Sequence, residues 1–245
     1  QWLPADAPPE AVALALAATL NLKVPTALTR PLPPIAPLLR PVLVRPEELQ
    51  GPRRSMCRRD AFGPMVLGVA FGPNDNAPRV QTTHLDQWGA HFDDVITTAI
   101  SNLREALTEE SVLGVEGTPG LLAIVNDHEP AAAACYFFEA LIPDLDRDAG
   151  VLFGVPSLST TIALPVEPGS GAAAFAALVE MMYSLCDRQS EPLSDQIFWW
   201  RAGDIAHIPM VEVEEEGVRR IHLDARGIVA DLLDVLGEIE DDDES

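Results

Sequence analysis

Segments that read as β-strands come in pairs along this chain, and single helical segments separate the pairs. Residues 65–71 and 79–85 flank the turn-forming stretch Gly72-Pro73-Asn74-Asp75-Asn76, and residues 111–116 and 121–125 flank Gly117-Thr118-Pro119-Gly120. Residues 150–155 and 160–166 make a third pair, and residues 197–200, 205–213 and 218–223 complete a strand group. Between them, residues 91–108 carry Phe92, Val95, Ile96, Ala99, Leu103, Ala106 and Leu107 at three- and four-residue intervals, which predicts an amphipathic helix. Asp93 and Asp94 suit the positive end of its dipole. Residues 130–141, 172–186 and 228–236 predict further helices. A doubly wound parallel sheet needs a helix after each strand. Paired strands need only short antiparallel connections. The order therefore predicts an α+β fold of mixed or mostly antiparallel sheet segments with interleaved packing helices.

The two ends read differently from this body. Pro9 and Glu10 open a short Ala- and Leu-rich segment over residues 9–20 that suits a helix. Prolines then recur from Pro25 to Pro46, each lacking an N–H and restraining its predecessor, so residues 25–46 read as an extended arm in which Val42-Leu43-Val44 forms a short edge strand. The last residues, Glu238, Glu240, Asp241, Asp242, Asp243 and Glu244, are a run of like charge that favours a solvated tail. The expected organisation is an N-terminal helix and arm over residues 1–40, one α+β domain over 41–237, and an acidic tail over 238–245.

Charge and composition exclude several classes of function. The net charge is -22, yet residues 1–60 hold 8 basic and 5 acidic side chains while residues 61–245 hold 8 and 33. A body this acidic repels phosphate backbones, so no nucleic acid is expected as a partner. Arg53, Arg54, Arg58 and Arg59 form one basic cluster, which reads as a solvated loop or a contact with an anionic partner. No apolar stretch approaches the roughly 18 residues of a transmembrane helix, so no membrane is expected either. The three cysteines, Cys57, Cys135 and Cys186, are odd in number and far apart, which fits reduced thiols and a cytoplasmic location rather than a disulfide framework or a zinc site.

Motif by motif, the chain gives little purchase for chemistry. A phosphate-binding loop needs a lysine after its glycines, and the one lysine, Lys23, follows none. Gly114, Gly117 and Gly120 have the wrong spacing for a dinucleotide fingerprint and suit a tight turn. There is no G-x-S-x-G elbow around Ser157 or Ser159. His84-Leu85-Asp86, with His128, His207 or His222, has the composition of a two-histidine, one-carboxylate iron site, but a helix follows it where that site needs further strand, so a strand-end or helix-start role is favoured. Asn126-Asp127-His128-Glu129 is oxygen-rich enough for a cation and equally suited to capping the next helix. No cofactor, metal site or catalytic residue is therefore assigned.

The most distinctive local feature is Ile197-Phe198-Trp199-Trp200-Arg201. On a strand its large side chains alternate between faces, which requires either burial on both sides or an exposed aromatic patch. Trp88, Phe198, Trp199, Trp200 and Arg201 are accordingly the candidate interaction surface for a protein partner.

Taken together, several stretches resemble the YtpQ-like family of bacterial proteins, whose function is unknown. The resemblance rests on Arg40-Pro41-Val42-Leu43-Val44-Arg45, the strand at 65–71, His84-Leu85-Asp86-Gln87-Trp88-Gly89 leading to Ala99-Ile100-Ser101-Asn102-Leu103, Gly154-Val155-Pro156-Ser157, and Pro192 through Gly203. It covers roughly residues 40–205 and departs at the basic cluster, the arm and the tail. It implies a cytoplasmic bacterial protein and transfers no catalytic residue. The sequence thus favours a non-enzymatic binding or regulatory protein. The alternative is a hydrolase or metal-dependent enzyme whose site gathers His84, Asp86, Asp127, His128 and His207.

Overall fold

A computed structural model describes residues 35–50, 54–74, 76–170, 172–215, 218–224 and 226–237. The segment expected as a helix at 9–20, the arm up to residue 34 and the acidic tail lie outside the described residues.

The expected α+β architecture is present. Strand β1 (Leu39–Val44) and β2 (Arg58–Asp60) flank β3 (Val66–Phe71) in a three-stranded antiparallel sheet. The short edge strand anticipated at Val42-Leu43-Val44 is longer and begins three residues earlier. Pro41 is tolerated because β1 is an edge strand, so its missing N–H breaks no inner ladder. Packing also begins before residue 41, since Ile35, Leu38 and Leu39 are buried. Helix α1 (Thr82–Trp88) and α2 (Phe92–Ala106) follow.

A larger antiparallel sheet comes next. It is built from β4 (Val112–Gly114), β5 (Leu122–Val125), β6 (Val151–Ser157), β7 (Thr160–Pro165), β8 (Ile197–Arg201) and β9 (Asp204–Ile208), in the spatial order β4-β5-β7-β6-β8-β9. The short helix α3 (Phe138–Leu141) and the long helix α4 (Ala173–Asp187) are inserted between its strands. A separate ribbon of β10 (Met210–Glu215) and β11 (Val218–Leu223) precedes α5 (Ile228–Leu236).

Strand alternation divides the large sheet between two apolar cores. Val151, Phe153, Val155, Phe198 and Trp200 face one side, against α2, the inward face of the small sheet and the alanine-rich turn at 131–137. Leu152, Ile162, Leu164, Ile197 and Trp199 face the other, against α4 and α5. On the small sheet Leu39, Leu43, Leu67, Val69 and Phe71 join the first core, while Val42, Val44, Val66 and Ala70 point the other way, onto Met56 and Ala77. Polar links tie the layers. Asn102 of α2 donates from Nδ2 to the Leu39 carbonyl at 3.0 Å, and the Thr161 hydroxyl donates to the Ala131 carbonyl at 2.8 Å.

Two expected elements differ. Residues 79–85 do not form a strand. Arg79 and Gln81 make only isolated bridges, to Ala70 and Met56, and the chain then turns into α1. The His84 imidazole fixes that turn by accepting, at Nδ1, the Gln81 backbone N–H at 3.1 Å. Residues 130–141 form a 3-10 helix, Ala131–Phe137, that passes into the single turn of α3. Ala132 donates its N–H across to the Leu158 carbonyl at 3.0 Å rather than within the helix, and Ala131 to Ala134 are wholly buried, so the segment is shaped by the strand it lies on.

Candidate functional site

The aromatic residues singled out in the sequence are core. Trp88 is 5% exposed, Phe198 0%, Trp199 1% and Trp200 3%. The exposed-patch reading is therefore corrected, and burial of the strand on both faces holds. The physical reason is that β8 lies between β6 and β9 in the sheet and has a packed core on each side. Trp199 donates its indole N–H to the Ala149 carbonyl at 2.9 Å, while Arg201 lies 4.6 Å over the Trp199 ring and donates from Nε to the Asp148 carbonyl at 2.9 Å. Arg201 is thus a lid on a core tryptophan. Trp88 stacks on His84 with ring centroids 5.6 Å apart and meets Phe71 edge-on.

The residues of the alternative, scattered site do not come together. His84 is held in the start of α1 and by its neighbours Phe71 and Trp88, and burial lowers its pKa from the ordinary 6.5. His207 lies on edge strand β9, 5.8 Å from the Phe198 ring, and desolvation lowers its pKa too. Asp127 and His128 sit in an exposed turn whose Asn126 Oδ1 accepts the His128 N–H at 2.9 Å. Glu129 is engaged by a forked pair of bonds from Arg40, Nη2 to Oε1 at 3.0 Å and Nε to Oε2. Among the described residues no three His, Cys, Asp or Glu side chains gather as metal ligands would.

The thiols are also poorly placed as nucleophiles. All three are free and buried. Burial raises the pKa of Cys57 and of Cys135, and pushes Cys186 up to about 11, with Asp195 and Asp187 adding to the effect. A thiol held above its ordinary range is protonated near neutral pH and reacts slowly.

Concave surface lies elsewhere. A groove of about 810 Å³ runs between α4 and β11, with Phe175, Ala176, Val179 and Tyr183 on the helix wall and Ile221 and Leu223 on the strand wall. It exists because α4 is apolar on more than one side. Among its fifteen residues, AAFAALVEMMYSLCD, only Glu180 and Asp187 carry a carboxylate and none is basic. One side, Leu178, Met182 and Cys186, is buried in the second core. Gly154 on β6 draws the helix close, since a Cβ there would lie 2.4 Å from the Met182 sulfur. The adjacent side carries Ala176, which is exposed, and Tyr183, which is half-buried, into the groove. A helix apolar on more than its core stripe ordinarily has a second surface to cover. Individual sequence letters did not reveal the groove. The signal that was available was the shortage of charge in α4.

A second cleft, about 590 Å³, lies between β1 and residues 189–193 and is polar. Its cations are already engaged. Arg45 pairs with Glu48 at 3.0 Å and Glu191 at 3.5 Å, and Arg79 donates to the Ala77 carbonyl at 3.0 Å.

Among the described residues no helix is long and apolar enough to cross a membrane. No protein-family model matches the chain, and comparison with curated proteins and with solved structures finds no match.

Proposed function

We propose that this chain is a non-enzymatic binding protein whose binding surface is the groove between α4 and β11. One observation carries the reading. The groove is larger than the polar cleft and is walled mainly by apolar side chains, whereas the histidines and carboxylates that would have to cooperate in catalysis lie apart, in a helix start, an edge strand and an exposed turn. Burying such a wall supplies about 25 cal/mol for each Å² of apolar surface removed from water. Three buried, protonated thiols accord with the reducing cytoplasm in which we place the protein. The YtpQ-like resemblance accords with a bacterial protein without assigned chemistry.

Ala176 gives the test, because it is exposed on the groove wall and contributes nothing to the core. The wild-type chain and Ala176→Arg, matched in melting midpoint, are used to capture partners from the native cell. Each candidate is then purified and titrated against both. A partner that binds the wild type and is lost by Ala176→Arg is expected. Partners bound equally by both chains would move the function away from the groove.

A further inference from the structure

The groove has a charged rim as well as an apolar floor. Glu180 and Asp187 are exposed beside it, and neither forms an ion pair among the described residues. They are seven residues apart on α4, so they stand on nearly the same side of the helix, two turns or about 10 Å apart along its axis. Arg188 follows at the end of the groove. The surface therefore presents apolar side chains flanked by two carboxylates in a fixed spacing.

Resting on the binding reading above, we propose that the groove takes a basic amphipathic helix of a partner protein. That helix lays an apolar stripe between α4 and β11 and places two Lys or Arg residues, about seven apart, against Glu180 and Asp187. A helix fits because the groove wall is itself a helix, and side chains at i, i+3, i+4 and i+7 of a partner interdigitate with such a wall. Basic flanks fit because neither carboxylate is ion-paired among the described residues and the whole chain carries a net charge of -22, which draws cationic segments and repels acidic ones. The same charge argues against a second copy of this chain, which would bring a second acidic rim against the first.

Fluorescein-labelled synthetic 18-residue peptides test this against the full-length chain. One has a leucine stripe with two lysines seven residues apart, and another has glutamates in place of those lysines. The lysine peptide is expected to bind at least tenfold tighter. The preference is expected to reverse on the double variant E180K and D187K, and binding is expected to vanish on Ala176→Arg. Equal binding of both peptides, or a preference that the charge reversal leaves unchanged, would overturn the proposal. So would a dimer in sedimentation that Ala176→Arg dissociates, because the occupant would then be a second copy. A chain that binds the lysine peptide only after Leu16→Asp and Leu20→Asp would overturn it as well, because its own N-terminal run would be the occupant. Nile red, a neutral apolar dye, separates the two levels. If it binds the wild type and not Ala176→Arg while the peptide preference fails, the groove reading stands and the basic-helix inference falls. If it too binds both chains alike, the groove reading falls as well.

Discussion

Trp199 and Trp200 are neighbours in the chain and belong to different cores: the first packs with Phe175, Leu178 and Met182 beneath α4, the second with Phe138 and Phe153 on the opposite face of the same sheet. Replacing either with Ala leaves a large cavity and is expected to cost about 3–5 kcal/mol, a substantial part of the roughly 5–15 kcal/mol by which a domain is stable. Denaturant melts of the two single variants check this. An unchanged midpoint for either would contradict its burial.

Gly150 is closed to any other residue. Its φ is +80°, and a Cβ would sit 2.1 Å from the Trp200 carbonyl oxygen. Gly150→Ala is expected to lose about 1–3 kcal/mol from the backbone strain alone, with the collision adding to it. Gly117 has the same φ but open space around it, so Gly117→Ala is the control and is expected to show the smaller loss.

The Arg40–Glu129 fork joins β1 to the turn before residue 131, with side chains only 16% and 14% exposed. Glu129→Gln keeps the shape and removes the charge, and an expected loss of about 1.5–3 kcal/mol follows from the value of hydrogen bonds to ionised groups. A double-mutant cycle with Arg40→Met measures the coupling directly. A coupling near zero would show that the pair adds no stability.

His84 makes stability depend on pH. Burial lowers its folded-state pKa below the ordinary 6.5, so the unfolded chain binds the proton more readily. Its contribution is complete above about 6.5 and is lost as pH falls from there toward the lowered folded value. The unfolding free energy of His84→Gln is therefore expected to fall less steeply than the wild type's between neutral pH and the onset of carboxylate titration. Parallel curves for the two chains would show that His84 is not responsible.

Cys135 is wholly buried and its thiol is held protonated. Thiol-labelling reagents at neutral pH are expected to modify it only at the rate of unfolding, so its labelling is expected to accelerate in step with denaturant. Rapid modification of Cys135 in the native chain would contradict its placement.

Much of the fold is legible wherever one physical signal dominates. The amphipathic period of α2 and α5, the turn formers between β4 and β5, and the apolar runs of β6 and β7 mark those elements to within a few residues. The sequence misleads where tertiary contacts outweigh local pattern. Val80, Thr82 and Leu85 look like strand, but Gln81 meets His84 instead of a neighbouring strand, and α1 begins. Ala131 to Ala134 favour an α-helix by propensity and are pressed into a tighter one against β7. The aromatic strand shows the complementary difficulty. Its alternation was readable, yet whether both faces are covered depends on residues far away in sequence. The groove was the least legible feature, because one wall is helix α4 and the other is a strand more than thirty residues later.

Gly154 lies outside the groove, yet it sets what the groove offers. A helix resting on a flat apolar sheet can roll about its axis with little change in buried area, and each few degrees of roll would turn a different set of side chains outward. Met182 seated over a residue without a Cβ acts as a key in a slot and removes that freedom. With the roll angle locked, Ala176, Val179 and Tyr183 face the groove whose other wall holds Ile221 and Leu223. The orientation of the groove wall is thus held by a hydrogen atom on the far side of the helix, where a single added methyl group would collide with Met182.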